Sequence, residues 1–332
     1  MKTVTLNRIF SEDLLDRSRQ QGDPAADAVL AAVAAEGGRE KIGLLMRWLA
    51  NPDDLNATDQ HPSVRDFVET QVRLPTWLDY RRMETAMRFF SKNEVAVELV
   101  LGCYSLPYCY AGADGARVLW QSQRIHNDTR KRLEETGAWF FRIMKPRNWE
   151  NGKAVAHTLK IRLLHAAVRW FTLQSSQWQM DWGYPINQED MAATNLAFSY
   201  IVIRGLRKGA VLMTDEEEDA YLHLINVTGY LLGVSEELLP QNRREAFHLE
   251  RAIVRRQFRP SEQGMGLTRS LLAALETMSP PALRNLPAAQ MRFLLGDELA
   301  DLLGVPAVAL EKRLVGLANT LPIFPKLLKY NL

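Results

Sequence analysis

The chain has 332 residues, 47% of them hydrophobic and 24% charged, which is enough apolar material for a large buried core and an ordinary globular balance. Its 41 basic and 39 acidic residues leave a net charge of +2, and the basic runs Arg130–Arg132 and Arg255–Arg256 are short and sit inside helical patterns. That excludes the clustered basic face a nucleic-acid partner requires.

Apolar residues recur every three or four positions over 8–19, 25–35, 39–49, 63–73, 77–101, 117–144, 153–176, 188–206, 215–232, 236–257, 265–278 and 287–303, which predicts helix throughout. Thr76, with Asp79 three residues on, reads as a start for the fifth segment. Asn187 with Asp190 reads as a start for the eighth, and Ile186 and Met191 occupy the staple positions around that cap. Thr214 followed by Glu217 is a capping-box pattern. Gly209, Gly233 and Gly304 follow helical runs, and Pro240, Pro260 and Pro280–Pro281 prevent continuation. The stretch Cys103–Ala116, rich in Gly, Pro and Tyr, reads as an internal loop. Strand-like alternation is scarce and no 20–50-residue repeat is present. The expectation is an all-α protein, a single large helical domain over 1–332.

Cys103 and Cys109 are the only cysteines and form no CxxC pair, so a disulfide framework and a cysteine metal site are both unsupported, and there is no CxxCH for covalent c-type haem. The amino terminus lacks the apolar stretch and cleavage site of a secretory signal. No run of about 18 uncharged apolar residues occurs; Val95–Ala113 is broken by Glu98, Gly102 and Pro107. A cytoplasmic protein without a transmembrane segment is expected. Motifs of hydrolases, P-loop enzymes and zinc proteases are absent, and GMGLTR at 264–269 lacks both a third glycine and a preceding strand. A helical chain makes its sites between helices instead.

Of six histidines, His61 lies in a polar loop, His126 in a polar segment, His157 at the polar start of a helix and His248 among charges. His165 differs, because Ile161, Leu164, His165 and Val168 share one helix face and carry the ring into an apolar interface. Burial leaves such a ring neutral with a lone pair free, as an axial haem ligand needs; a core histidine bonded to a carbonyl satisfies the same pattern. His223 has a similar setting and is the reserve candidate.

An ordered set of segments narrows these alternatives: RLEETGAWF at 132–140, IRLLHAAVR at 161–169, GYPINQEDM at 183–191 with Thr194 and Phe198 beyond it, and GYLLGVSEELLP at 229–240. The set resembles the latex-clearing proteins, or rubber oxygenases, together with the mycophenolic-acid side-chain-cleaving oxygenase, most strongly over 115–305. The resemblance implies a globin-like helical core around haem b, with His165 as the iron ligand and Arg132 and Thr136 near the distal haem face. It implies an oxygenase that uses O₂ to oxidise or cleave C=C bonds of a hydrophobic, isoprenoid-type substrate. Two positions depart from the family's pattern. Glu135 stands where a lysine precedes the threonine, and the general-base glutamate has no acidic match in 111–117 except Asp114.

Arg132 and Thr136 are one turn apart, so both can face one pocket, with Trp139, Phe140 and Ile143 continuing as an apolar wall. A threonine hydroxyl can donate to bound dioxygen, and a guanidinium stabilises negative charge developing on it. Arg162 and Arg169 flank His165 and are candidates to anchor the haem propionates, or are simply salt-bridged. Asn187 reads as a structural cap. A haem-based O₂-binding or sensor protein without turnover, and a haem-free helical interaction protein, are the competing readings.

Overall fold

The architecture is that of a computed structural model, which describes residues 8–121 and 124–308, the side chains of 124–128 and 282 apart. The chain begins with α1 (Glu12–Arg19), α2 (Pro24–Ala50), α3 (Pro62–Gln71) and α4 (Tyr80–Val100). A π-helical turn over Leu101–Ser105 leads into α5 (Leu106–Tyr110), followed by α6 (Ala113–Gln121), α7 (Arg124–Ile143), α8 (Pro146–Glu150) and α9 (Lys153–Leu173). The second half comprises α10 (Gln188–Phe198), α11 (Tyr200–Lys208), α12 (Asp215–Leu231), α13 (Arg243–Gln257), α14 (Glu262–Met278), α15 (Leu286–Leu295) and α16 (Asp297–Leu302). Among the described residues there is no strand, and the one isolated β-bridge joins Gly112 to Phe258. The protein is all-α, as expected.

Several boundaries differ from the sequence reading for identifiable reasons. Asp79, not Thr76, caps α4, because its carboxylate accepts from the amides of Arg81 and Arg82. The segment 188–206 is two helices, divided at Ser199, whose φ/ψ of −112°/−83° is not helical. Helix 236–257 starts only at Arg243, after Pro240 and the cap Asn242. The expected loop Cys103–Ala116 is mostly helical. Helical backbone runs unbroken from α4 through the π turn into α5, and the wider i→i−5 bonding of that turn makes room for Pro107 as well as Gly102. Thr214 and Glu217 do form the reciprocal capping box of α12.

Two apolar clusters make the core. The larger is built on α4 and α12, with α10, α11, α13, α14 and α15 around them. The smaller joins α2, α3 and α9, and Trp149 and Tyr230 pack against both clusters. A straight helix of 27 residues would be about 40 Å long. Instead α2 breaks at Gly37 and Gly38, the latter at φ +55°, and both its ends return to the middle of α9. Lys160 donates to the carbonyls of Trp48, Asn51 and Asp54 at 2.7, 2.6 and 2.8 Å, satisfying the carboxy-terminal end of α2. Arg162 and Arg169 grip Asp23 and Asp27 at its amino-terminal end. The charges of α9 therefore fix the smaller cluster against the helix that carries His165.

Candidate functional site between α7 and α9

Helix α9 is buried on two sides by Leu163, Ala166 and Ala167. Its remaining face, made of Ile161, Leu164, His165 and Val168, stays half-buried. His165 is deep in the protein mass yet keeps accessible surface, the combination expected of a side chain that borders an internal space. Its Nδ1 is buried with no hydrogen-bond partner. Burial, aided by the charges of Arg169 and Arg132 and opposed by Asp23, lowers its pKa to about 4. The ring is thus neutral at any ordinary pH, and one nitrogen is unserved by the protein.

Helix α7 packs beside this face, and the seam between the two half-buried helix faces is the candidate slot. Trp139 Nε1 donates to Thr158 Oγ1 at 3.3 Å, tying the two helices at one end. Seven residues, or about 10 Å of helix, separate Trp139 from Arg132 and Thr158 from His165. Arg132 accordingly comes close enough to His165 to disfavour its protonation. Arg132, Leu133, Thr136 and Trp139 are all half-buried on this side. The apolar wall is shorter than the sequence suggested. Phe140 and Ile143 are 1% and 0% exposed, and Phe140 packs on Phe90 and Phe198 in the main core.

The two flanking arginines part company. Arg162 is fully committed: Nε and Nη2 bond Asp23 at 2.5 and 2.9 Å, and Nη1 bonds Gln71 at 3.0 Å. A propionate would have to displace these partners, so the geometry favours the salt-bridged alternative for Arg162. Arg169 bonds Asp27 at 2.6 Å and the Ile186 carbonyl at 3.4 Å, but its Nη2 is buried without a partner. It remains able to take a further anionic oxygen.

The other histidines resolve individually. His223, the reserve candidate, accepts from the Asp79 amide at 3.0 Å and holds α12 to the start of α4. His157, at the start of α9, is 9% exposed, and burial with Arg142 nearby lowers its pKa to about 4. His61 caps α3. The side chain of His126 lies outside the described residues. Among those residues no three His, Cys, Asp or Glu side chains converge as a metal cage; the donor on offer is a single imidazole, which suits a metal that brings its own macrocycle.

Sequence reasoning missed what surrounds the slot. Tyr110, 5% exposed, feels the charge of Arg132, and its neighbour Cys109 is hydrogen-bonded by Thr194. Arg19, 8% exposed, reaches from α1 to Asp114 at 3.0 Å, Asp190 at 3.2 Å and Glu189 at 3.3 Å. Asp114, the one acidic residue of 111–117, is therefore held in an ion network with Arg19, Arg117 and Arg259. Beside it, the carboxylate of Asp190 lies 3.4 Å from where a Cβ on Gly115 would be, and burial lifts its pKa to about 6 against the pull of Arg19. Asn187 is the α10 cap, accepting from the Asp190 amide at 2.9 Å. The residue before it, Ile186, adopts φ +50°, a strained conformation for a β-branched side chain. Such strain persists only where the surroundings over-determine it, and here the Ile186 carbonyl is a ligand of Arg169.

The chain is similar to known proteins in both sequence and fold. Residues 101–323 match the family described as ER-bound oxygenase mpaB/B′/rubber oxygenase, catalytic domain. The chain is 26% identical over 300 residues to a rubber oxygenase of Streptomyces sp. (strain K30), covering 89% of this chain and 74% of that protein. Its fold superposes on the structure of latex clearing protein LCP in the closed state with a TM-score of 0.79 and 25% identity, over 94% of this chain and 86% of the other. No helix among the described residues is long and apolar enough to cross a membrane.

Proposed function

Because this chain belongs to the oxygenase family of mpaB/B′ and rubber oxygenase catalytic domains, we propose that it is a haem b-dependent oxygenase that uses O₂ to oxidise or cleave C=C bonds of a hydrophobic, isoprenoid-type substrate. The observation that carries this reading is the His165 ring: neutral, deep, with Nδ1 unpartnered, on a half-buried helix face within range of the Arg132 charge. Haem b, when bound, supplies the activation of O₂ for attack on the double bond.

The protein's own residues do the rest. His165 holds the iron through its lone pair, and Ala166 and Ala167 behind it lock α9 into the core. Arg132 brings a permanent positive charge to the opposite side, where it favours negative charge developing on oxygen. Thr136, one turn on, presents a hydroxyl on the same face. Leu133 and Trp139 supply apolar surface against which an unsaturated chain lies, and they limit water. Arg169, through its unserved Nη2, is the residue suited to pair with a carboxylate of the cofactor. Glu135 is exposed and takes no part.

The test is purification after haem-supplemented expression, followed by O₂ uptake and carbonyl formation with isoprenoids, carotenoid fragments and unsaturated fatty acids. A haem spectrum with turnover on part of the panel supports the proposal. A haem spectrum with no turnover identifies an oxygen-binding protein, and a colourless, fully helical protein overturns the reading.

A further inference from the structure

Away from the slot, α5, α11 and α13 enclose a set of buried titratable groups that the oxygen chemistry leaves unused. Tyr108 is 8% exposed, and its hydroxyl donates to Glu250 Oε1. The same carboxylate accepts from Arg204 Nη1 at 2.8 Å, while its Oε2 is buried with no partner. Tyr104, 1% exposed, stands edge-on to Tyr108 with ring centroids 5.7 Å apart. Tyr200 is half-buried, electrostatically coupled to Glu250, and has the Arg204 guanidinium 5.8 Å from its ring. Tyr110, two residues on from Tyr108 in α5, feels Arg132 at the slot. Tyr108, Tyr104 and Tyr200 therefore cluster around Glu250 and the partly exposed Arg204, while Tyr110 sits two residues on from Tyr108 on the same short helix.

Burial and the Glu250 charge hold the Tyr108 phenol protonated far above its usual range, so phenolate chemistry is closed to it. Losing an electron while keeping the proton would strand a cationic phenol in a low-dielectric interior. A carboxylate already in hydrogen-bond contact removes that obstacle, because the proton moves along a bond that exists.

We propose that Tyr108 and Glu250 form a proton-coupled redox pair that takes up oxidising equivalents formed at the slot and passes them through Tyr104 and Tyr200 towards the surface. The proposal rests on the haem reading above. In the step, Tyr108 loses one electron to the oxidising equivalent that hydrogen peroxide delivers at the bound cofactor in the absence of organic substrate. The phenolic O–H bond breaks and its proton passes to Glu250 Oε1. Tyr108 becomes a neutral phenoxyl radical and Glu250 a carboxylic acid beside Arg204. A thiol or ascorbate in solution returns the electron by way of Tyr200, and Glu250 returns the proton. The device spares Trp139 and the slot lining from oxidation when oxygen is consumed without product.

The experiment treats the full-length holoprotein with hydrogen peroxide without substrate and reads tyrosyl radical by rapid-freeze electron paramagnetic resonance. The wild type is expected to give at least about fivefold more radical than Tyr108→Phe, with Glu250→Gln similarly depressed. Wild-type yield and line shape in both variants would overturn the proposal. Should either variant fail to fold, the wild type decides alone. Radical formation about twofold slower in D₂O and independent of buffer concentration supports transfer to an internal base, and a buffer-dependent rate contradicts it. The haem reading is checked separately, by the spectrum before peroxide is added. In a haem-free preparation a photogenerated ruthenium(III) tris-bipyridine oxidant interrogates the same couple, with the same two outcomes.

Discussion

His165 and His223 show how two histidines of similar sequence setting acquire different roles. Both rings are held neutral, with pKa values of about 4 caused chiefly by burial. His223 uses its lone pair on the Asp79 amide, whereas Nδ1 of His165 has no partner. The structural role of His223 has a pH signature. Its folded pKa lies below its unfolded value, so the unfolded chain binds the extra proton as pH falls from about 6.5 towards 4. Stability contributed by the neutral ring is present above that window and lost within it, by about 1.4 kcal/mol per unit. Urea midpoints of the wild type should therefore fall relative to His223→Gln between pH 6.5 and 4; parallel curves would show that His223 does not carry this linkage. At the slot, Thr136→Ala should retain haem and slow oxidation by about tenfold or more, in the range for a lost transition-state hydrogen bond. An unchanged rate removes Thr136 from the chemistry.

Helix contacts carry the next set of consequences. Gly205 of α11 lies where a Cβ would run into Val100 and Tyr104, so α11 approaches the α4–π-turn junction as closely as its backbone allows. Gly205→Ala should cost about 1–3 kcal/mol through overpacking, measured by urea denaturation, and a neutral result would mean that α4 shifts freely. The helices themselves were largely legible, since three- and four-residue periodicity found nearly every one and the Thr214 and Asn187 caps were readable from residue type alone. Cys103–Ala116 was not legible, because Gly102, Pro107, Gly112 and Gly115 look like loop punctuation. A π turn within an unbroken helical run accommodates Gly102 and Pro107, and propensity does not encode that context. The cost of misreading this stretch was Cys109 and Tyr110, two neighbours of the slot. Face and spacing singled out His165 as an apolar-facing ring, whereas its proposed ligand role and those of Arg132 and Thr136 came from the family resemblance of 132–140 and 161–169. The occupied state of Arg162 was not legible, since its partners Asp23 and Gln71 are distant in sequence.

Across the whole molecule, buried charge organises what the apolar clusters leave open. Arg19 alone joins α1 to α6 and α10 through three carboxylates. Arg256 links Glu189 to α1 through Glu12 and Asp16. Arg19→Met should destabilise the protein by about 3–5 kcal/mol, because carboxylates would be left buried without their cation; a loss below about 1 kcal/mol in denaturant titration would show that Arg256, Arg117 and Arg259 compensate. This scaffold frames the candidate slot, and the proposed cofactor binding rests chiefly on His165. Full-length wild type and His165→Ala, expressed with added haem precursor, should therefore be compared by absorption spectroscopy and circular dichroism together. The account predicts a Soret band in the wild type that is lost in His165→Ala at undiminished helicity. A Soret band of equal intensity in both proteins would contradict it.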